Sequence, residues 1–143
     1  MNVREILSVK GRDVVTIEPT ADLGTAAKLL AAKRIGALVV VGPAGRIVGI
    51  LSERDIVHVL AERGTAALLA PLTEAMTRKV TTCTAADTIS SVMEQMTTGK
   101  FRHVPVVEQG RLAGIISIGD VVKHRLMEME QEHAALRDYI QTA

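Results

Sequence analysis

The sequence predicts an α/β (α+β) chain made of one β-α-β-β-α unit used twice, with an extended C-terminal helix, and three observations carry that prediction. The element Gly49-Ile50-Leu51-Ser52-Glu53-Arg54-Asp55 returns as Gly114-Ile115-Ile116-Ser117-Ile118-Gly119-Asp120, with Gly, Ile, Ser and Asp in the same slots. The agreement extends outward without a gap, because Gly45, Arg46 and Val57 recur as Gly110, Arg111 and Val122. The same order of strand-like and helix-like patterns flanks both copies. Such a repeat is longer than a typical solenoid unit and suits a small α/β unit duplicated once. A chain of 143 residues divides into halves too small to be stable alone, so they are expected to share a core.

In the first copy, residues 14–17 form a β-rich run, and Pro19, Thr20 and Asp22 supply turn and N-cap chemistry. Leu23, Ala26, Ala27 and Leu30 then mark one face of a helix. Residues 38–41 and 47–51 read as strands on either side of the turn Gly42-Pro43-Ala44-Gly45, the second apolar throughout as in strands covered on both faces. The second copy repeats this with residues 80–83, a turn through Asp87, a helical face of Ile89, Val92, Met93 and Met96, and strands over 104–107 and 112–116. The boundaries predicted are 8–62 for the first unit, 63–79 for a linker containing Gly64 and Pro71, 80–126 for the second unit, and 127–143 for a helical extension. Val122, Leu126, Met129, His133, Leu136 and Ile140 recur at alternating spacings of four and three, a heptad seam suited to a partner or to the segment around Ile6 and Leu7.

Composition removes several function classes. Phe101 and Tyr139 are the only aromatic residues, which disfavours nucleic-acid binding by base stacking. A formal charge of +1 provides no field to hold a polyanion. The single cysteine, Cys83, excludes an internal disulfide and fits a reducing compartment. Neither an apolar leader nor a stretch of membrane-spanning length is present, so a cytoplasmic protein without membrane or nucleic-acid partners is expected. His58, His103, His124 and His133 lack metal-ligand spacing, and no base is nominated for nucleophilic catalysis by Cys83.

The duplicated Gly-x-x-Ser-x-x-Asp element places Ser at the end of a buried strand and Asp in the first turn of a helix. There the hydroxyl and free first-turn amides can bind phosphate, while Asp can accept from a vicinal diol such as ribose. Gly would leave room for a flat ring against the backbone. The competing reading is structural: Ser52, Asp55, Ser117 and Asp120 cap helices, and the glycines mark close packing. Two copies in the same slot favour a nucleotide site.

These elements, with Phe101-Arg102-His103-Val104-Pro105-Val106-Val107 and Glu74-Ala75-Met76-Thr77, resemble the CBS (cystathionine β-synthase) domain family, whose members occur as tandem pairs, over residues 8 to 126. The resemblance implies a pseudo-twofold pair with two clefts that bind AMP, ADP, ATP, NAD(H) or S-adenosylmethionine, with no metal beyond one carried by a nucleotide. It assigns Ser52, Asp55, Val80, Thr82, Arg102 and His103 to the first cleft, and Ser117, Asp120, Val15, Ile17, Gly36 and Ala37 to the second. Arg102 and His103 would favour the more charged ligand in the first, since Gly36 and Ala37 offer only backbone. The function implied is non-catalytic: a homodimeric nucleotide, energy or redox sensor acting on a separate regulated protein. The alternative is a structural dimerisation module with degenerate clefts.

Overall fold

The computed structural model describes residues 1–142. Helix α1 (Val3–Lys10) precedes the duplicated elements; Asn2 caps it by accepting from the Glu5 N–H, and Gly11 ends it at φ 97°. The first copy continues with β1 (Thr16–Ile17), α2 (Leu23–Lys33), β2 (Ala37–Val41), β3 (Ile47–Ser52) and α3 (Glu53–Arg63). Asp22 caps α2 at 2.7 Å from the Thr25 N–H, and the face of Leu23, Ala26 and Leu30 is buried as its spacing predicts. The sheet order is β1-β2-β3, parallel then antiparallel, with an irregularity between Val40 and Val41. Short 3₁₀ turns at Thr65–Leu69 and Leu72–Glu74 lead to α4 (Ile89–Gly99), β4 (His103–Glu108), β5 (Arg111–Ser117) and α5 (Ile118–Thr142).

Residues 80–83 do not form the strand expected of them. Cys83 alone makes a parallel bridge to Val106, donating its N–H to Pro105 O at 3.0 Å and accepting from the Val107 N–H at 2.8 Å. Thr81 and Thr82 are exposed and have no apolar face to bury, so pairing contracts to the one buried residue.

The chain forms two compact units: residues 13–81 with 109–113, and residues 1–12 with 82–108 and the stretch from 114 onward. Each contains its own buried cluster, where the sequence suggested a single shared core. Leu23, Leu38, Leu51, Leu72 and Met76 belong to one; Val3, Ile6, Leu7, Ile89, Val104 and Ile116 belong to the other. An exchange of entry segments accounts for this. Val3, Ile6 and Leu7 precede the first copy but pack with the strands of the second, where the Val3 and Arg4 N–H groups donate to Asp87 O and Ala85 O. Leu72 and Met76 lead into the second copy but pack with the first, where Leu72 N–H donates to Ala21 O.

Two residues of α5 are buried, Val121 and His124, and His124 is only 5% exposed with no hydrogen-bond partner for Nδ1 among the described residues. A buried polar atom without a hydrogen bond costs on the order of 1–3 kcal/mol. His124→Leu is therefore expected to raise unfolding stability by about 1 kcal/mol in urea titration; a loss would show that the imidazole contributes net stability.

Candidate functional site

Both Ser–Asp elements fold as reciprocal caps at a strand-to-helix junction. Ser52 ends β3 and caps α3: its Oγ accepts from the Asp55 N–H at 3.2 Å, while Asp55 Oδ2 accepts from the Ser52 N–H at 2.9 Å. This is the capping-box arrangement, with Asp in place of Glu. The Glu53 N–H donates to Gly36 O at 2.9 Å. Arg54 N–H is then the first-turn amide left without a protein acceptor among the described residues. The Ser52 hydroxyl proton and Asp55 Oδ1 are likewise uncommitted.

The second copy has the same frame with less spare capacity. Ser117 Oγ accepts from the Asp120 N–H at 3.2 Å, and Asp120 Oδ2 accepts from the Ser117 N–H at 2.9 Å. Here the Ser117 hydroxyl also donates to Asp120 Oδ2, at 3.0 Å. Lys10, the last residue of α1, adds its ammonium 2.6 Å from the same carboxylate oxygen and 2.8 Å from Ile115 O. Burial raises the Asp120 pKa, but the hydrogen bonds from Lys10 and Ser117 and the Lys10 charge outweigh it, leaving the group below its ordinary value. Lys10 is absent from the sequence-derived residues because the contact joins positions far apart in the chain and no local pattern announces it.

The glycines of the motif serve a purpose other than the one first inferred. A Cβ at Gly49 would lie 2.6 Å from Met76 Sδ and 3.0 Å from Thr77 O. At Gly114 it would lie 2.7 Å from Leu7 Cδ2. The space that a side chain would take at each glycine is filled by the chain's own exchanged entry segment, which is the close packing of the competing structural reading.

The remaining expected residues fall into place unit by unit. Ala37 stands opposite Ser52 in the β2–β3 register, next to Gly36. Val15 O accepts from the Val39 N–H at 3.3 Å, and Ile17 is buried. Val80 is half-buried in the same unit. In the other unit Arg102 O accepts from the Ile118 N–H at 2.8 Å while its side chain is exposed, His103 opens β4 half-buried, and Thr82 is exposed. Thus each Ser–Asp cap is tied within its own unit to the entry of the central strand: Gly36 for one, Arg102 for the other. A cavity of about 480 Å³ beside Gly36 and Glu53, lined mainly by α2 and α3, includes neither Ser52 nor Asp55.

Cys83 is no nucleophile at neutral pH, since burial, aided by the Asp87 charge, pushes its thiol up to about 12. Among the described residues no group of three His, Cys, Asp or Glu side chains could hold a metal ion, and no helix is long and apolar enough to cross a membrane.

A duplicated α/β unit with a Ser–Asp cap after each central hairpin defines a class of tandem-repeat α/β modules. The chain belongs to the CBS domain family, whose profile matches residues 3–62 and 72–126. The crystal structure of the CBS-domain containing protein ATU1752 from Agrobacterium tumefaciens is 51% identical, with a TM-score of 0.86 over 87% of this chain and 99% of that one. The Pyrobaculum aerophilum CBS domain protein PAE2072, complexed with AMP, is 31% identical, with a TM-score of 0.75 over 84% and 89%. The CBS domain pair of protein MJ0100, in complex with 5′-methylthioadenosine and S-adenosyl-L-methionine, is 28% identical, with a TM-score of 0.77 over 91% and 98%. The chain spans 66% and 58% of the lengths of two curated relatives, from Acidianus ambivalens and Arabidopsis thaliana.

Proposed function

We propose that this chain is a non-catalytic regulatory CBS pair that binds an adenosine-containing ligand and transmits its occupancy to a separate protein. The observation that carries the reading is the unspent capacity of the Ser52–Asp55 cap: a carboxylate oxygen for a ribose hydroxyl, and a hydroxyl proton and the Arg54 N–H for phosphate. Solved relatives complexed with AMP, or with 5′-methylthioadenosine and S-adenosyl-L-methionine, support the adenosine class. The residues that the resemblance assigns with them, Val80, Thr82, Arg102 and His103 for one ligand and Val15, Ile17, Gly36 and Ala37 for the other, belong to this proposal. The test is a thermal-shift panel of AMP, ADP, ATP, NAD, NADH and S-adenosylmethionine on protein shown to be ligand-free. A ligand at a hundred times its dissociation constant adds about 2.7 kcal/mol, a shift of several degrees. No shift with any of them favours a second reading, a structural dimerisation module, which the complete capping boxes also accommodate.

The two caps are expected to bind unequally. Asp120 Oδ2 already receives three donors, so a diol would have to displace Lys10 to reach both carboxylate oxygens. A partly exposed ion pair contributes roughly 1 kcal/mol or less, which sets the displacement cost at up to about fivefold in affinity. Lys10→Met removes this competitor and also raises the Asp120 pKa. Because that pKa is depressed in the folded chain, Asp120 contributes stability above the ordinary carboxylate range that is lost as pH falls through its folded value. Carboxyl NMR titration of Lys10→Met should show Asp120 moving upward and the acid-side loss shrinking; an unchanged titration contradicts the assignment.

A further inference from the structure

Helix α5 uses one face within its own chain and leaves another unoccupied. Val121 and His124 are its buried residues, whereas the heptad seam is open to solvent: Val122 is 44% exposed, Leu126 55%, Met129 52%, Leu136 57% and Ile140 65%. With Leu126, His133 and Ile140 at a positions and Val122, Met129 and Leu136 at d positions, the inward-facing residues fall at c and f. The apolar periodicity of α5 is therefore not accounted for by its own fold. An isolated helix of this kind is marginal in water, and its stability normally comes from packing an apolar stripe.

The charges beside the seam identify the occupant. In a parallel two-stranded coil, each g residue meets the e residue of the following heptad in the partner helix. Here Arg125 would meet Glu130 of the second copy, and Glu132 would meet Arg137 of the second copy, both opposite in sign. A fully overlapped antiparallel pairing would instead set Glu130 against Glu130, Glu132 against Glu132 and Lys123 against Arg137, all like charges. Glu130, Glu132 and Arg137 make no ion pair within the chain among the described residues, while Arg125 lies 3.4 Å from Glu128.

We propose that α5 pairs with α5 of a second copy of this chain as a parallel two-stranded coiled coil, registered by Glu132–Arg137 contacts and by the polar His133 in the seam. A parallel pair places identical residues opposite each other about a twofold axis, so the interface is isologous and closes as a dimer. His133 at an a position costs stability but disfavours staggered alignments.

The test is disulfide trapping in the full chain, with buried Cys83 left in place. Leu136→Cys, at a d position, should oxidise to a covalent dimer at least about tenfold faster than Asp138→Cys at the outward f position. Adding Glu132→Arg to Leu136→Cys should slow trapping several-fold, and adding Arg137→Glu to both should restore it. All four substituted positions, Glu132, Leu136, Arg137 and Asp138, are exposed, and circular dichroism of each variant confirms that the fold is retained. Equal rates for Leu136→Cys and Asp138→Cys, failure of Arg137→Glu to restore trapping, or a crosslink that forms only when Leu126→Cys is also present would each overturn the proposal. The last outcome would mean an antiparallel pair.

Discussion

Gly49→Val is expected to destabilise the chain by about 3 kcal/mol, measured by urea unfolding. The added Cβ alone would meet Met76 Sδ at 2.6 Å and Thr77 O at 3.0 Å, and valine adds two further methyl groups. Overpacking a filled core costs typically about 1–3 kcal/mol, and more when the neighbour cannot move. Met76 could give way, but Thr77 O cannot, because Ile50 and Thr77 exchange backbone hydrogen bonds of 3.0 and 2.9 Å that hold this carbonyl against β3. Met76→Ala in the same chain should therefore rescue only part of the loss. Gly114 provides the contrast: its neighbour is the end of the Leu7 side chain, and Gly114→Ala should cost about 1 kcal/mol or less. If Gly49→Val left stability unchanged and only weakened ligand binding, the glycine would be serving a ligand ring after all.

Asp55→Asn should weaken binding of an adenosine nucleotide about 10- to 100-fold while changing stability by less than about 1 kcal/mol. Hydrogen bonds to a charged acceptor contribute roughly 1.5–3 kcal/mol, against about 1 kcal/mol for neutral ones. Asparagine keeps the shape of the side chain and an oxygen to accept from the Ser52 N–H, so the cap survives while the anionic acceptor for the diol is lost. That separation is what distinguishes a binding residue from a helix cap. Asp120→Asn should cost less affinity, because Lys10 and the Ser117 hydroxyl already draw on its carboxylate. Titration calorimetry on both variants checks this. Equal losses would remove the asymmetry between the caps, and a large fall in stability without loss of affinity would make Asp55 a cap and nothing more.

What could be read from the sequence was whatever the duplication wrote twice. The Ser52–Asp55 and Ser117–Asp120 caps were legible because strand, Ser, helix and Asp recur in register, and the periodicity of α2 and α4 gave their buried faces directly. Residues 80–83 carry a strand-like composition but pair only at Cys83, because β-branched composition alone overstates pairing when threonines face solvent. The exchange of entry segments was not legible, since nothing local tells Leu7 that it will pack on Gly114, or Met76 that it will pack on Gly49. For the same reason the motif glycines suggested a ligand ring where they accommodate a neighbouring side chain. Lys10 was missed as any long-range ion pair is missed: its position is set by α1 docking through Val3, Ile6 and Leu7. The heptad seam of α5 was plain in the sequence, but only burial of Val121 and His124 on another face shows that the seam is not used within the unit.

Whether the Ser52–Asp55 cap binds adenosine nucleotides is measured most directly by titration calorimetry of AMP into the ligand-free protein. Saturable binding that Asp55→Asn weakens at least about tenfold, with the unfolding midpoint of the variant nearly unchanged, is the result predicted. Absence of saturable binding by AMP, ADP, ATP, NAD, NADH and S-adenosylmethionine alike would contradict it and leave the paired caps as elements of structure.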